Sequence, residues 1–97
     1  MLSEPSARLA RHLGKPESYV MTCLMPQTTM TFAGTSEPAC YVEVKSIGTL
    51  KPERTRAISA DFCARLSDGS GVRPDRIYLE FADAKPHLWG HAGDTFA

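Results

Sequence analysis

The chain has 97 residues, enough for one domain whose small core buries only about 60–65% of the unfolded surface. Eleven Lys and Arg balance eleven Asp and Glu, which argues against a nucleic-acid or acidic-membrane surface built on clustered positive charge. No apolar run of about 18 residues is present to span a bilayer, and the opening MLSEPSARLARHLG has no apolar signal segment.

Residues 3–13, SEPSARLARHL, are predicted to be helical. Ser3 can cap the helix, and Pro5 is tolerated in a first turn. Leu2, Leu9 and Leu13 fall on one stripe. Gly14 ends the helix and Pro16 prevents its resumption. SYVMTCLM (18–25) alternates two largely apolar sets, as in a strand covered on both faces, until Pro26 and Gln27 break it. TMTFA (29–33) reads as a short strand and GTSEP (34–38) as a turn. ACYVEVKSI (39–47) is the next strand, with Cys40, Val42 and Val44 opposite Tyr41, Glu43 and Lys45. A second helix runs from Pro52 to about Ser67, with Ile58, Phe62 and Leu66 at four-residue steps. DGSG (68–71) stops it, and DRIYLEFAD (75–83) is a strand. The tail, with Pro86, Trp89, Gly90 and Gly93, is expected to be a loop with at most one short strand.

An internal repeat ties these elements together. GKPESYV (14–20) follows the first helix and VRPDRIY (72–78) follows the second, each running base, proline, acid, polar residue, then strand. The second copy is a complete βαβ unit, strand 39–47, helix 52–67 and strand 75–83, with a right-handed crossover expected. The first copy has its helix and its second strand. Its opening strand is expected before Met1.

The segments LGKPESYV (13–20), MTFAGTSEPAC (30–40), SIG (46–48), PDRIY (74–78) and DTFA (94–97) resemble the macrophage migration inhibitory factor and D-dopachrome tautomerase family of the tautomerase superfamily. The resemblance runs from Leu2 to Ala97. It implies an α+β fold: a duplicated βαβ with a four-stranded sheet and two helices. It further implies a homotrimer, and keto–enol tautomerisation of aryl α-keto acids such as phenylpyruvate and of dopachrome-like compounds. No cofactor, metal, nucleic acid or membrane partner is implied. In the family the catalytic base is an N-terminal proline at the head of the first strand. This chain begins instead at a position equivalent to the first helix, so residues 1–97 are expected to be an N-terminally incomplete single domain with no catalytic proline. The family's CxxC is absent too.

The chemistry explains the roles the resemblance assigns. Enolisation needs a base for the proton beside a carbonyl, and donors that hold the enolate oxygen and the carboxylate. An α-amino group titrates near 7.7–8.0, so a terminal amine in an apolar pocket is a usable base. Lys15 matches the family lysine that binds the substrate carboxylate. On position alone it is also a cation at a helix C-terminus. Ile47 matches a residue whose backbone contacts substrate, and otherwise reads as an apolar strand end. Tyr78 matches a tyrosine supplied by a neighbouring subunit, and otherwise reads as a half-buried strand aromatic. Trp89 and Phe96 match an aromatic wall, and otherwise cover the core. Glu80 stands where some members carry an amide that contacts ligands; a carboxylate there repels an anionic substrate.

Cys23, Cys40 and Cys63 form no disulfide framework and read as small buried thiols in a reducing compartment. His87 and His91 are four residues apart but flank Trp89 and Gly90 in a loop, without a third metal ligand. Two functions fit: an α-keto acid tautomerase whose proline base lies outside these residues, or a catalytically inactive, cytokine-type binding protein. The expected location is the cytoplasm, or outside the cell by a route without a signal peptide.

Overall fold

The computed structural model describes residues 3–26, 28–48 and 50–97, the side chain of Ser3 excepted. Helix α1 (Ser3–Leu13) precedes strand β1 (Cys40–Ile47), helix α2 (Pro52–Ser70) and strand β2 (Ile77–Ala84). Two short strands, β3 (Gly90–His91) and β4 (Asp94–Thr95), close the chain as a hairpin. The architecture is mixed α+β. The expected cap at Ser3 and the stripe residue Leu2 lie outside the described side chains, as does Gln27.

β1 and β2 pair in parallel, from Cys40 opposite Ile77 to Ile47 opposite Ala84. A parallel pair needs a crossover, and α2 supplies it, giving the expected βαβ unit. Alternation decides the faces. Val44 and Ser46 are buried, whereas Tyr41, Glu43, Lys45, Tyr78 and Glu80 are exposed on the opposite face. Ala10, Leu13, Val44, Ile58 and Val72 form the core, with Ile58 fully buried. Phe62 and Leu66, on the predicted α2 stripe, are half-buried.

α1 is fastened to α2 by polar contacts at the rim of this core. Arg8 donates to both Asp61 carboxylate oxygens at 2.8–3.2 Å, and His12 Nε2 lies 2.8 Å from Asp61 Oδ2. These partners hold the Asp61 carboxyl at about 2, chiefly through the Arg8 hydrogen bonds and then that of His12. Arg65 pairs with Glu4. Arg54 Nη1 donates 2.7 Å to the carbonyl of Leu13, one of the acceptors left open at the end of α1.

The internal repeat holds in its two turns. Tyr19 N–H bonds to Pro16 O at 3.0 Å, and Ile77 N–H bonds to Pro74 O in the equivalent turn. Lys51–Pro52 and Lys85–Pro86 also open helical turns. Proline suits a first turn, where its missing N–H has no intrahelical partner to lose.

Two predicted strands are not formed. Beyond the turn at Glu17–Tyr19, residues 20–25 have no ladder partner among the described residues, although Val20 is extended (φ −108°, ψ 127°). A strand exists only through hydrogen bonds to a neighbour. Within the described residues β1 pairs with β2 alone, and residues 20–25 join neither. Met21 and Met25 are consequently 89% and 76% exposed, and Cys23, expected to be buried, is exposed as well. Residues 29–33 hold a single bridge, Phe32 to Thr35, in place of a strand. α2 also runs three residues beyond Ser67 and ends at Gly71 (φ 77°), because Asp68 and Gly69 do not leave the helical conformation. The tail has two short strands where at most one was expected.

Candidate functional site

Lys15 is placed by the way α1 ends. Gly14 takes φ +66°, a left-handed conformation that costs glycine nothing. Its N–H bonds to Arg11 O at 3.3 Å, and the N–H of Lys15 bonds back to Ala10 O at 3.0 Å. This pair of bonds is the Schellman arrangement. It turns the chain sharply and aims the Lys15 side chain at the end of β1. There Nζ donates 3.0 Å to Ser46 Oγ and 3.4 Å to the carbonyl of Ile47. Two of the expected site residues, Lys15 and Ile47, are therefore in direct contact. Ser46, which sequence reasoning did not single out, joins them. Gly48 follows at φ +68°, its N–H donating 2.7 Å to Asp83 Oδ1 of the neighbouring strand.

An aromatic group forms around Phe96. Tyr19, at the end of the turn that Lys15 and Pro16 lead into, meets the Phe96 ring edge-on at 6.4 Å. His91 stacks on Phe96 at 5.8 Å with an interplanar angle of 19°. The β3–β4 hairpin holds Phe96 in place, its N–H donating 3.2 Å to the carbonyl of Trp89. Trp89 itself is half-buried. An ammonium group and a set of ring faces thus come from one turn, one strand end and one hairpin.

Tyr78 stands elsewhere. It pairs with Tyr41 near the start of the parallel strands, whereas Ile47 pairs with Ala84 at their end. Six residues of strand separate the two ends, roughly 20 Å. Tyr78 packs edge-on against Phe32 at 5.3 Å and is 60% exposed. Phe32 lies under the Arg76 guanidinium, whose carbon is 5.0 Å from the ring centre. A groove of about 500 Å³ runs here, lined by Met30, Phe32, Cys40, Arg76, Tyr78 and Glu80.

The sequence matches the family described as macrophage migration inhibitory factor (MIF) over residues 1–97. This chain belongs to the MIF family. It is 38% identical over 96 residues to the macrophage migration inhibitory factor of Rattus norvegicus, covering 99% of this chain and 84% of the relative. It is 37% identical to the homolog from Trichuris trichiura, covering 98% and 83%. Among solved structures, the MIF homologue from Prochlorococcus marinus superposes with a TM-score of 0.95 at 50% identity, covering 99% of this chain and 84% of that one. The MIF of Toxoplasma gondii superposes at 0.87 with 33% identity, covering 98% and 83%.

In this MIF-family chain Glu80 faces Glu43 across the β1–β2 pair, and both are exposed. Partial loss of water contact raises the Tyr41 phenol above its usual value, and the charges of Glu43 and then Glu80 add to it. The start of the sheet is therefore an acidic ledge with two exposed tyrosines. Cys40 and Cys63 are half-buried free thiols; burial raises the Cys40 thiol, with a further contribution from Cys63. No group of three or more metal-ligating side chains forms among the described residues. No helix among them is long and apolar enough to cross a membrane.

Sequence reasoning missed Ser46, Tyr19, His91 and Arg76. Tyr19 carried a signal, because it belongs to the same GKPESYV segment as Lys15. His91 was weighed only as a metal ligand, whereas the hairpin lays its ring on Phe96. Arg76 is 5% exposed and donates to three main-chain carbonyls, a role that a lone arginine beside a proline turn does not announce.

Proposed function

We propose that this chain carries the substrate-binding elements of a keto–enol tautomerase acting on aryl α-keto acids such as phenylpyruvate and on dopachrome-like compounds. The observation that carries the reading is the placement of Lys15. A half-buried ammonium is anchored at the end of a strand, within one short turn of a tyrosine that packs on Phe96. An arylpyruvate presents a carboxylate at one end and a ring at the other, and this arrangement offers a partner for each.

In the reaction a base removes a proton from the carbon between ring and carbonyl, and the oxygen gains the charge before it takes a proton. Lys15 holds the carboxylate and fixes the orientation. Ile47 lends its backbone, and Trp89 and Phe96 flank the ring. Tyr78 reaches the pocket from a neighbouring subunit of a homotrimer; its exposure and its distance of roughly 20 Å from Ile47 within one chain support that assignment. The base in this reading is an N-terminal proline amine heading a strand that runs beside β1, and residues 1–97 form the remainder of a single domain. Three free thiols accord with a reducing, cytoplasmic location.

The experiment compares two proteins. The chain preceded by a strand that starts at a proline, after methionine removal, should tautomerise phenylpyruvate, followed by ultraviolet absorbance. The 97-residue chain alone should show little turnover. Robust turnover by that chain, its terminus verified by mass spectrometry, would overturn the assignment of the base.

A further inference from the structure

We infer that Ser46 is a positioning residue for Lys15, and so sets how strongly the pocket selects a carboxylate over an uncharged ligand. The inference rests on the tautomerase reading and deepens it. A lysine ammonium has three N–H donors. Lys15 sends one to Ser46 Oγ at 3.0 Å and one to Ile47 O at 3.4 Å. No acceptor among the described residues takes the third, which points it to an incoming anion. Both acceptors are neutral, so the positive charge is oriented without being cancelled, unlike that of Arg8, which is spent on Asp61.

The two acceptors are not equivalent. Ile47 O is main chain and fixed by the strand, but its contact is the longer one. Ser46 Oγ is the closer acceptor, on a residue only 3% exposed. Burial denies it the freedom of a surface hydroxyl, so it marks a fixed point for the end of a four-carbon stem. A free lysine stem samples many rotamers, and holding it in advance lowers the ordering cost that binding would otherwise meet. Removing Oγ leaves Lys15 charged and, among the described residues, tethered by the longer contact alone. An anion then meets a mobile cation, whereas an uncharged ligand meets the same aromatic surface as before.

The test measures binding rather than turnover. The probes are 3-phenylpropanoate and the uncharged 3-phenylpropan-1-ol, titrated into the proline-bearing form that completes the domain and followed by protein NMR shifts. Ser46→Ala should weaken 3-phenylpropanoate by about three- to tenfold, the range for one ordinary hydrogen bond, because the loss reaches the ligand only through Lys15. It should leave the alcohol unchanged. Ser46→Thr, which keeps the hydroxyl, should restore carboxylate binding. Ser46→Cys fills the same space with a poor acceptor and should behave as Ser46→Ala, which keeps the question open to test if the alanine variant does not fold. Equal weakening of both probes would overturn the inference, because it would mark a merely structural role. If Ser46→Ala binds the carboxylate normally while Lys15→Ala loses it, the positioning role fails and the tautomerase pocket stands. If Lys15→Ala also binds normally, the pocket assignment itself fails, and the inference with it.

Discussion

Replacing Arg76 should cost this small fold a large part of its stability. The guanidinium is buried and donates to Pro38 O at 2.9 Å, Glu37 O at 3.0 Å and Phe32 O at 3.3 Å, while its carbon sits over the Phe32 ring. Hydrogen bonds from a charged donor contribute about 1.5–3 kcal/mol each, and a cation over a ring about 0.5–2 kcal/mol. The full sum is not lost, because Glu37 and Pro38 are exposed and their carbonyls can turn to water. Arg76→Ala should therefore destabilise by about 3–4 kcal/mol, against a total of roughly 5–15 kcal/mol for a domain. Arg76→Lys should cost about 2 kcal/mol, because an ammonium cannot span carbonyls as a planar fork does. Urea unfolding followed by circular dichroism reads both values. The near-ultraviolet signal should change as well, since Phe32 also packs on Tyr78. A loss below about 1 kcal/mol for Arg76→Ala, with the unfolding slope unchanged, would refute the claim that this side chain holds residues 32–38 to the sheet.

Other expectations follow from the same geometry. The Asp61 carboxyl sits at about 2, below its usual 3.8, so the stability it contributes is present above pH 3.8 and is lost as pH falls from there toward 2. Thermal melts across that range should show the decline, and Asp61→Asn should flatten it. Gly14→Ala should cost about 1–2 kcal/mol through the left-handed backbone alone, since the added carbon would lie 3.8 Å from Arg54, an ordinary contact; denaturant melts measure it. Glu80→Asn, in a form with the proline-bearing strand, should improve KM for phenylpyruvate, more so at low salt; kinetics in two salt concentrations check this. That form should also scatter light as a trimer, and a stable monomer at micromolar concentration would count against a pocket shared between subunits.

Local rules carried much of the fold. The α1 stop was legible because only a glycine accepts φ +66° cheaply, and the βαβ unit was legible from β1, α2 and β2 read separately. The repeated base–proline–acid pattern marked two turns with the same hydrogen bond. Residues 20–25 were misread because their alternation describes what a strand would bury, whereas strand formation depends on a neighbour that local sequence does not reveal. Exposed Cys23 follows from the same cause. At the site, Lys15 and Ile47 were named from positions 32 residues apart, and the structure brings them together. The contacts of Ser46, His91 and Arg76 depend on tertiary placement, which no spacing along the chain encodes.

The most direct test of the proposed pocket is kcat/KM for phenylpyruvate in the proline-bearing form, before and after Lys15→Ala. Losing a charge-assisted contact to the substrate carboxylate costs about 1.5–3 kcal/mol, roughly a 10- to 150-fold fall in kcat/KM. The melting temperature should stay within a few degrees, since both acceptors of the lysine lie at a strand end and the α1 stop is made by backbone. A fall of that size at unchanged stability is the predicted result. An unchanged kcat/KM would contradict it and would remove Lys15, and the pocket built around it, from the chemistry of this chain.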